Sequence, residues 1–304
     1  MSVAILFSGQ GGQHPAMLDF LHDQPAARRL IEIGTEALTL DWRAVLKDPA
    51  QLYRNCVAQP LICLMQLARW SALQSMVPRL TGFAGYSVGE LGAYACATSM
   101  DAVTLARLAH ARANLMDQAV AGRSTGMLAL RGLGRKSVET ACAGRQCWIA
   151  IQLNVQEFIL GGDAEGLAAL NQSLSGQGIE IAFLKVGLAA HTPLISSAVV
   201  PFLRLLEGTP ACAFVTPMVA GIDGTWLTDS KVAVAKLASQ IANPIVWDIC
   251  LDTLYERGCR VFLELGPGRA LARMVLERFH QVEARSVEEF HSLDGLSLWL
   301  NRHR

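Results

Sequence analysis

The sequence has no excess of charge of either sign: Lys and Arg together number 26, and so do Asp and Glu. Such a chain has no general field with which to draw in nucleic acid or an anionic membrane, so any anionic ligand must be met by individually placed cations. Its eight cysteines (Cys56, Cys63, Cys96, Cys142, Cys147, Cys212, Cys250 and Cys259) contain no C-x-x-C pair and no His-paired metal spacing. Reduced, buried thiols in a cytoplasmic protein are therefore expected, in place of a disulfide framework or a zinc site. Long apolar runs are also missing. "PLICLMQLARWSALQSMV" is interrupted by Gln66 and Arg69, and "MSVAILFSGQ" has no basic segment ahead of its short apolar stretch. Neither a bilayer-spanning helix nor a signal peptide is expected. No internal repeat, low-complexity segment or Pro/Gly/Ser-rich linker divides the 304 residues. That length suits one large α/β domain, or a main domain with a smaller one attached.

What the chain does have is a repeated order of strand, turn and helix. The opening "VAILF" is a continuous apolar run ended by "SGQGGQ", the pattern of a buried parallel strand feeding a glycine-rich loop. "LTGFAGYSVGELGAYACATSM" passes from a short apolar stretch, through a tight turn, into an Ala/Leu/Glu-rich segment of helix length, and "CRVFLELGPGRALARMVLERF" repeats that order. Units of this kind predict a mostly parallel sheet covered on both faces. From about Thr125 to Val186 the pattern changes: "TGMLALRGL", "CWIAIQLNVQEFILGG" and "GIEIAFLKV" are strand-like, and "KSVETACAG" and "AEGLAALNQSLSGQG" read as short helices. That β-α-β-β-α-β order fits a ferredoxin-like unit. The expected fold is thus an α/β core of residues 1–124 and 187–304, with an inserted ferredoxin-like α+β subdomain at 125–186.

Within "FAGYSVGE", Gly85, Ser87 and Gly89 form a G-x-S-x-G. A serine at the tip of a strand-to-helix elbow takes a strained backbone, and its neighbours two residues away must be tiny for the chain to close. With 26 glycines the pattern arises by chance in roughly one such chain in ten, so its strand-turn-helix context carries the weight. On the expected helix 101–120, Leu105, Leu108, Ala109, Met116 and Ala119 share one face, with Arg112 in the middle of that stripe. A buried guanidinium needs a partner. It either pairs with one of the chain's own carboxylates, snorkels out to water, or presents its planar fork to a substrate carboxylate. Among seven histidines, His191 follows a strand-like segment and a small-residue loop and precedes Thr192-Pro193, an N-cap and first helical position, which places it on a loop at a strand's end. His14, just after the first glycine-rich loop, is its rival. "SGQGGQ" lacks both Walker spacing and a complete G-x-G-x-x-G, so it is a poor phosphate cradle. Its backbone N–H groups, with that of Val88 after the serine, could instead receive an oxyanion.

Taken together and in this order, the segments resemble the malonyl-CoA:acyl-carrier-protein transacylase family. "FSGQGGQ" is similar to its opening signature, "GYSVGE" to its G-H-S-x-G-E, Arg112 with Met116 to its Arg and Met four apart, and "HTP" to its H-[ST]-P; "NPIVW" and "LELGPGRAL" are also family-like. The likeness spans nearly the whole chain. It implies a hydrolase-like α/β core and a ping-pong transfer of malonyl, with Ser87 as nucleophile, His191 as base then acid, Arg112 and Met116 on the substrate, and the backbone N–H groups of Gln10 and Val88 as oxyanion hole. It further implies that a backbone carbonyl orients His191 in place of a triad aspartate, and the matching position is Arg257. No permanently bound cofactor is implied; a CoA thioester is the substrate and an acyl carrier protein the partner.

The chain departs from the family pattern at Tyr86, where His is usual, and at Ala190, where an aromatic before the histidine often limits the acyl substituent. Strict selection of malonyl over methylmalonyl is therefore not expected, since one methyl in an apolar pocket decides only about 1–3 kcal/mol. A closer likeness is to the malonyl transferase subunit of bacterial malonate decarboxylase, on "ILFSGQGGQ", "GYSVGE" and the tail "EEFHSLDGLSLWL". It implies a carrier subunit bearing a CoA-like prosthetic group and other decarboxylase subunits as partners. An esterase or thioesterase, or a non-catalytic interaction domain that keeps the fold, are the competing readings.

Overall fold

The computed structural model describes residues 1–184, 186–210 and 213–303; Cys212 lies outside them. Its first sheet is built on β1 (Ser2–Phe7), whose residues from Val3 onward are all buried, as a strand covered on both faces requires. β1 pairs in parallel with β2 (Leu80–Gly85) on one side and β10 (Cys259–Glu264) on the other, so that Ile5 sits between Phe83 and Leu263. β11 (Glu283–Ser286) and β7 (Met218–Val219) extend the parallel sheet, and β8 (Trp226–Leu227) closes one edge antiparallel to β7, giving the order β11-β10-β1-β2-β7-β8. Because β1, β2 and β10 are parallel, the loops after them gather at one edge, the place where open α/β sheets bind ligands. The loops touch there: a Cβ on Gly12 would lie 2.6 Å from the Pro267 carbonyl oxygen.

The helix Asn55–Leu73 covers the sheet and is buried along nearly its whole length. Arg69, which interrupts its apolar run, is fully buried, pairs with Glu288 at 2.9 Å and donates to the carbonyls of Met17 and Leu265. Its role is therefore a structural tie between helix, sheet and C-terminal segment. The helix Ala102–Ala119, N-capped by Asp101, packs alongside and turns the Arg112 stripe inward.

The second sheet comprises β3 (Thr125–Arg131), β4 (Cys147–Asn154), β5 (Glu157–Asp163) and β6 (Glu180–Phe183) in the order β6-β3-β5-β4, with the β4 edge extended by β9 (Ile245–Val246) running parallel to β4. With the helices Arg135–Cys142 and Ala164–Leu174 it encloses a separate apolar core around Leu128, Val138, Phe158, Leu160 and Leu170. The whole is an α/β fold with a mostly parallel main sheet and an α+β subdomain. No helix among the described residues is long and apolar enough to cross a membrane.

Candidate active site

The elbow after β2 is strained in the way its sequence predicts. Ser87 has φ 56° and ψ −117°, a region that residues with a side chain rarely adopt, and the helix Val88–Ala97 starts immediately after it. Both flanking glycines are required by close approach. A Cβ on Gly85 would lie 2.2 Å from the Glu90 Cα, and one on Gly89 would lie 2.1 Å from the Phe7 carbonyl oxygen. Val88 is the first residue of its helix, so its N–H has no intrahelical acceptor. The loop carrying Gln10 passes beside it: a Cβ on Gly9 would be 3.6 Å from that of Ser87.

Ser87 Oγ lies 2.8 Å from His191 Nε2, and His191 Nδ1 lies 2.7 Å from the Gln240 carbonyl oxygen. A carbonyl only accepts, so Nδ1 carries the proton and donates, which leaves the Nε2 lone pair facing the serine hydroxyl. Burial, with the positive charge of Arg112 behind it, drives the imidazole pKa down to about 3 against the opposing pull of the Gln240 bond. The ring is neutral at pH 7, the state in which it can take a proton from Ser87. His14 is elsewhere, 3.0 Å from Glu288.

The carbonyl that holds His191 belongs to Gln240, which corrects the expectation for Arg257. Arg257 caps the end of helix Trp247–Glu256 and stacks its guanidinium over Trp226 at 4.0 Å. The physical reason is that Gln240 ends the helix Ser230–Gln240, and carbonyls of a last turn have no intrahelical donor. Counting back from "LGPG" reaches a different helix end. The usable signal was nearer, in the run "KLASQIANP", where Pro244 marks a helix that has just stopped.

Arg112 is 2% exposed, and no ion pair among the described residues includes it. It donates through one terminal nitrogen to Gln59 Oε1 at 2.8 Å and through the other to Gln240 Oε1 at 3.0 Å. Both amides pass the polarity outward. Gln59 Nε2 donates to Gln10 Oε1 at 3.1 Å, Gln10 Nε2 to Asn55 Oδ1 at 2.9 Å, and Asn55 Nδ2 to Asp117 Oδ1 at 2.6 Å. On the other side Gln240 Nε2 donates to Glu90 Oε2 and, at 3.2 Å, to the Ser87 carbonyl. Every amide in this relay turns its oxygen toward the cation and its nitrogen toward a carboxylate. The guanidinium is thus held in place by neutral groups, and burial lowers its pKa only to about 10, so it stays charged. Neither an internal ion pair nor escape to water describes it.

Met116 is fixed in the same network, its sulfur 3.8 Å from Gln59 Nε2. Ala190 is buried beside His191. Tyr86 packs edge-on against Trp247, with ring centroids 5.4 Å apart. Sequence reasoning missed Gln59, Gln240 and Glu90. Glu90 was visible as the single charged residue of an otherwise apolar helix, and Gln59 as one of several polar residues in its largely apolar one; what they touch was not. A groove of about 490 Å³ lined by Arg131, Asn154, Glu157, Arg273 and Arg278 lies away from these residues. The chemistry is concentrated instead where Ser87, His191 and Arg112 meet.

Residues 5–293 match the acyl transferase domain family. The chain is 28% identical to the malonyl CoA-acyl carrier protein transacylase of Mycobacterium tuberculosis, over 97% of this chain and 99% of that one. It is 25% identical to that of Salmonella typhimurium, over 94% of this chain and 96% of that one. The crystal structure of malonyl-CoA:acyl carrier protein transacylase from Helicobacter pylori superimposes with a TM-score of 0.93 at 25% identity, covering 100% of both chains. Sharing its sequence pattern and its fold over their full extent with these proteins, the chain belongs to the acyl transferase domain family and is an acyltransferase.

Proposed function

We propose that this acyltransferase moves a malonyl group from CoA to the prosthetic-group thiol of an acyl carrier protein, through a malonyl ester on Ser87. One observation carries the reading: a buried, charged Arg112 next to the serine–histidine pair, held among the described residues by two amide oxygens and no carboxylate. A free carboxylate on the acyl group supplies the directly bonded anion that this cation lacks, and the planar fork can grip it with two charge-assisted hydrogen bonds. An esterase or thioesterase has no use for a cation there. The names of the similar proteins point to the same substrate and carrier.

In the first half-reaction Ser87 Oγ attacks the thioester carbonyl carbon while His191 Nε2 takes its proton. The developing oxyanion is received by the backbone N–H groups of Gln10 and Val88. The tetrahedral intermediate collapses by breaking the C–S bond, and the imidazolium returns its proton to the leaving CoA sulfur. The Gln240 carbonyl stabilises that imidazolium as a triad carboxylate would, with a partial in place of a full charge. In the second half the carrier thiol gives its proton to His191, attacks the malonyl ester and restores Ser87.

Intact-mass measurement after mixing with malonyl-CoA tests this: a gain of one malonyl group is expected, chased off by a carrier thiol faster than by water. A chase by water alone would make the protein a hydrolase. Absence of any adduct would favour a non-catalytic role. The acceptor is read as the phosphopantetheine thiol of an acyl carrier protein, the carrier being the one that the names of the similar proteins give. The segments "GYSVGE" and "EEFHSLDGLSLWL" favour as second reading the malonyl transferase component of malonate decarboxylase, with a CoA-like group on a dedicated carrier subunit. Offering both carriers to the malonyl-enzyme and comparing chase rates separates them.

Two further outcomes follow from the geometry. His191→Ala should lower kcat by on the order of 10³-fold or more, leaving the residue due to the oxyanion hole and positioning, whereas His14→Ala should leave kcat within a few-fold; the reverse order would move the base to His14. Because Ala190 stands where an aromatic would restrict the acyl α-carbon, methylmalonyl should be transferred measurably. Ala190→Phe should raise the malonyl-to-methylmalonyl ratio by roughly 10-fold or more while malonyl transfer persists. Complete rejection of methylmalonyl by the wild type would show that another side chain fills that space.

A further inference from the structure

The elbow helix carries a carboxylate that the mechanism above does not use. Glu90 is fully buried, and its Oε1 has no hydrogen-bond partner. Its Oε2 accepts from Gln240 Nε2, whose own Oε1 accepts from Arg112. One amide therefore separates a buried carboxylate from a buried guanidinium. An anion with an unsolvated oxygen survives in such a place only while a nearby positive charge answers it, and Arg112 is that charge.

We propose that Glu90, acting through the Gln240 amide, is the resident counter-charge of Arg112 and gives up that role by taking a proton from solvent when a carboxylate-bearing acyl group docks on the arginine. The inference rests on the proposed clamp for malonyl. With no acyl carboxylate present, Arg112 and ionised Glu90 together are neutral. Docking of malonyl on that pair would leave a net buried negative charge, which one proton on Glu90 Oε1 removes. The O–H bond forms from a bulk proton and nothing else changes bonding. Acetyl brings no charge and calls for no proton. Glu90 is a positioning residue in this scheme: it sets how freely Arg112 receives the substrate without touching it.

The surroundings allow Glu90 to titrate in the working range. Burial raises its pKa to about 7, opposed by the Gly221 backbone, by Gln240 and by Arg112 from helix Ala102–Ala119, and assisted by Asp223. Among the described residues, the other charged or titratable groups that act on it or on Arg112 are fixed in that range. Asp223 is held ionised by its bonds to Lys236 and Thr225, which outweigh its partial burial. Cys250 of helix Trp247–Glu256 is pushed well above its usual range by burial, as is Cys63 of helix Asn55–Leu73, to about 12. His191 is neutral above about pH 3. Glu264, whose pKa burial likewise lifts to about 7, is bound to Ser8 and the Ala272 N–H and has no place in the relay.

The sign follows. A docked malonyl carboxylate raises the Glu90 pKa further, so the protonated form binds malonyl better, and malonyl preference falls as pH rises through about 7. The experiment measures kcat/KM for malonyl-CoA and acetyl-CoA from about pH 5.5 to about pH 9 on the wild type and on Glu90→Gln, which keeps an oxygen for Gln240 Nε2 but cannot ionise. Steps shared by both acyl groups cancel in the ratio. The wild-type ratio should fall about tenfold for each unit by which malonyl lifts that pKa, and the ratio for Glu90→Gln should be flat and high. A wild-type ratio that favours malonyl but does not vary with pH overturns the proton transfer and leaves the clamp standing, as does a slope that persists in Glu90→Gln. A wild type without malonyl preference overturns the clamp itself. If Glu90→Gln fails to fold, proton uptake by the wild type in weakly buffered indicator decides: malonyl-CoA should take up protons, at most one per site, at some pH between about 6 and 9 and acetyl-CoA none, and equal uptake for both across that range refutes the proposal.

Discussion

Ser87→Ala is expected to abolish malonyl-enzyme formation and to lower turnover by at least about 10⁴-fold, with the fold unchanged. The methyl group that replaces the hydroxyl cannot attack a thioester, and among the described residues the site has no second nucleophile in reach. Cys63, whose thiol donates to the Val88 carbonyl at 3.7 Å, is buried and has its pKa pushed up to about 12, so it is no thiolate at neutral pH. Alanine also accepts the elbow backbone poorly, as any side chain does at φ 56°, but serine bears the same Cβ, so the substitution adds no strain. Intact-mass analysis after exposure to malonyl-CoA reads the outcome directly. Stoichiometric labelling of the Ser87→Ala protein at any other residue would refute the assignment.

Arg112→Ala should cut kcat/KM for malonyl-CoA by roughly 10²- to 10⁴-fold while sparing or raising that for acetyl-CoA. Two charge-assisted hydrogen bonds to the acyl carboxylate, each worth about 1.5–3 kcal/mol, set that range. Acetyl makes neither bond, and in the variant it no longer approaches a buried cation. Arg112→Lys should lie between, because an ammonium keeps the charge but loses the flat two-pronged fit and cannot hold Gln59 and Gln240 together. The variant does leave those two amide oxygens without their donor, so some loss of thermal stability is expected with it, and the comparison is made on folded protein. If malonyl and acetyl fall together and their ratio stays unchanged, the arginine serves the fold alone.

The residues whose placement depends on their neighbours along the chain are legible in the sequence. Ser87 sits in an elbow whose strain is imposed by six consecutive residues: a Cβ at Gly85 collides with Glu90 of the same turn, so spacing along the chain carries most of the signal. His191 was narrowed by the strand before it and Thr192-Pro193 after it, again neighbours in sequence. Arg112 announced itself by a mismatch between its charge and its helical face, a property of one helix. The order of helices and strands along residues 125–183 followed in the same way, from the alternation of short elements; their order in the sheet did not.

What answers Arg112 was beyond such reading, because its partners come from chain segments with no sequence relation to it: Gln59 on a helix 53 residues earlier and Gln240 at the end of another 128 residues later. The carbonyl for His191 shows the same limit. Any helix end offers unsatisfied carbonyls, and the sequence contains many helix ends, so a count along the chain reached Arg257 while packing of helix Ser230–Gln240 against the elbow selected Gln240. The direction of every amide in the relay is likewise a tertiary property. An amide presents a donor and an acceptor with nearly equal ease, and only the cation at one end and the carboxylates of Asp117 and Glu90 at the other decide which way each one points.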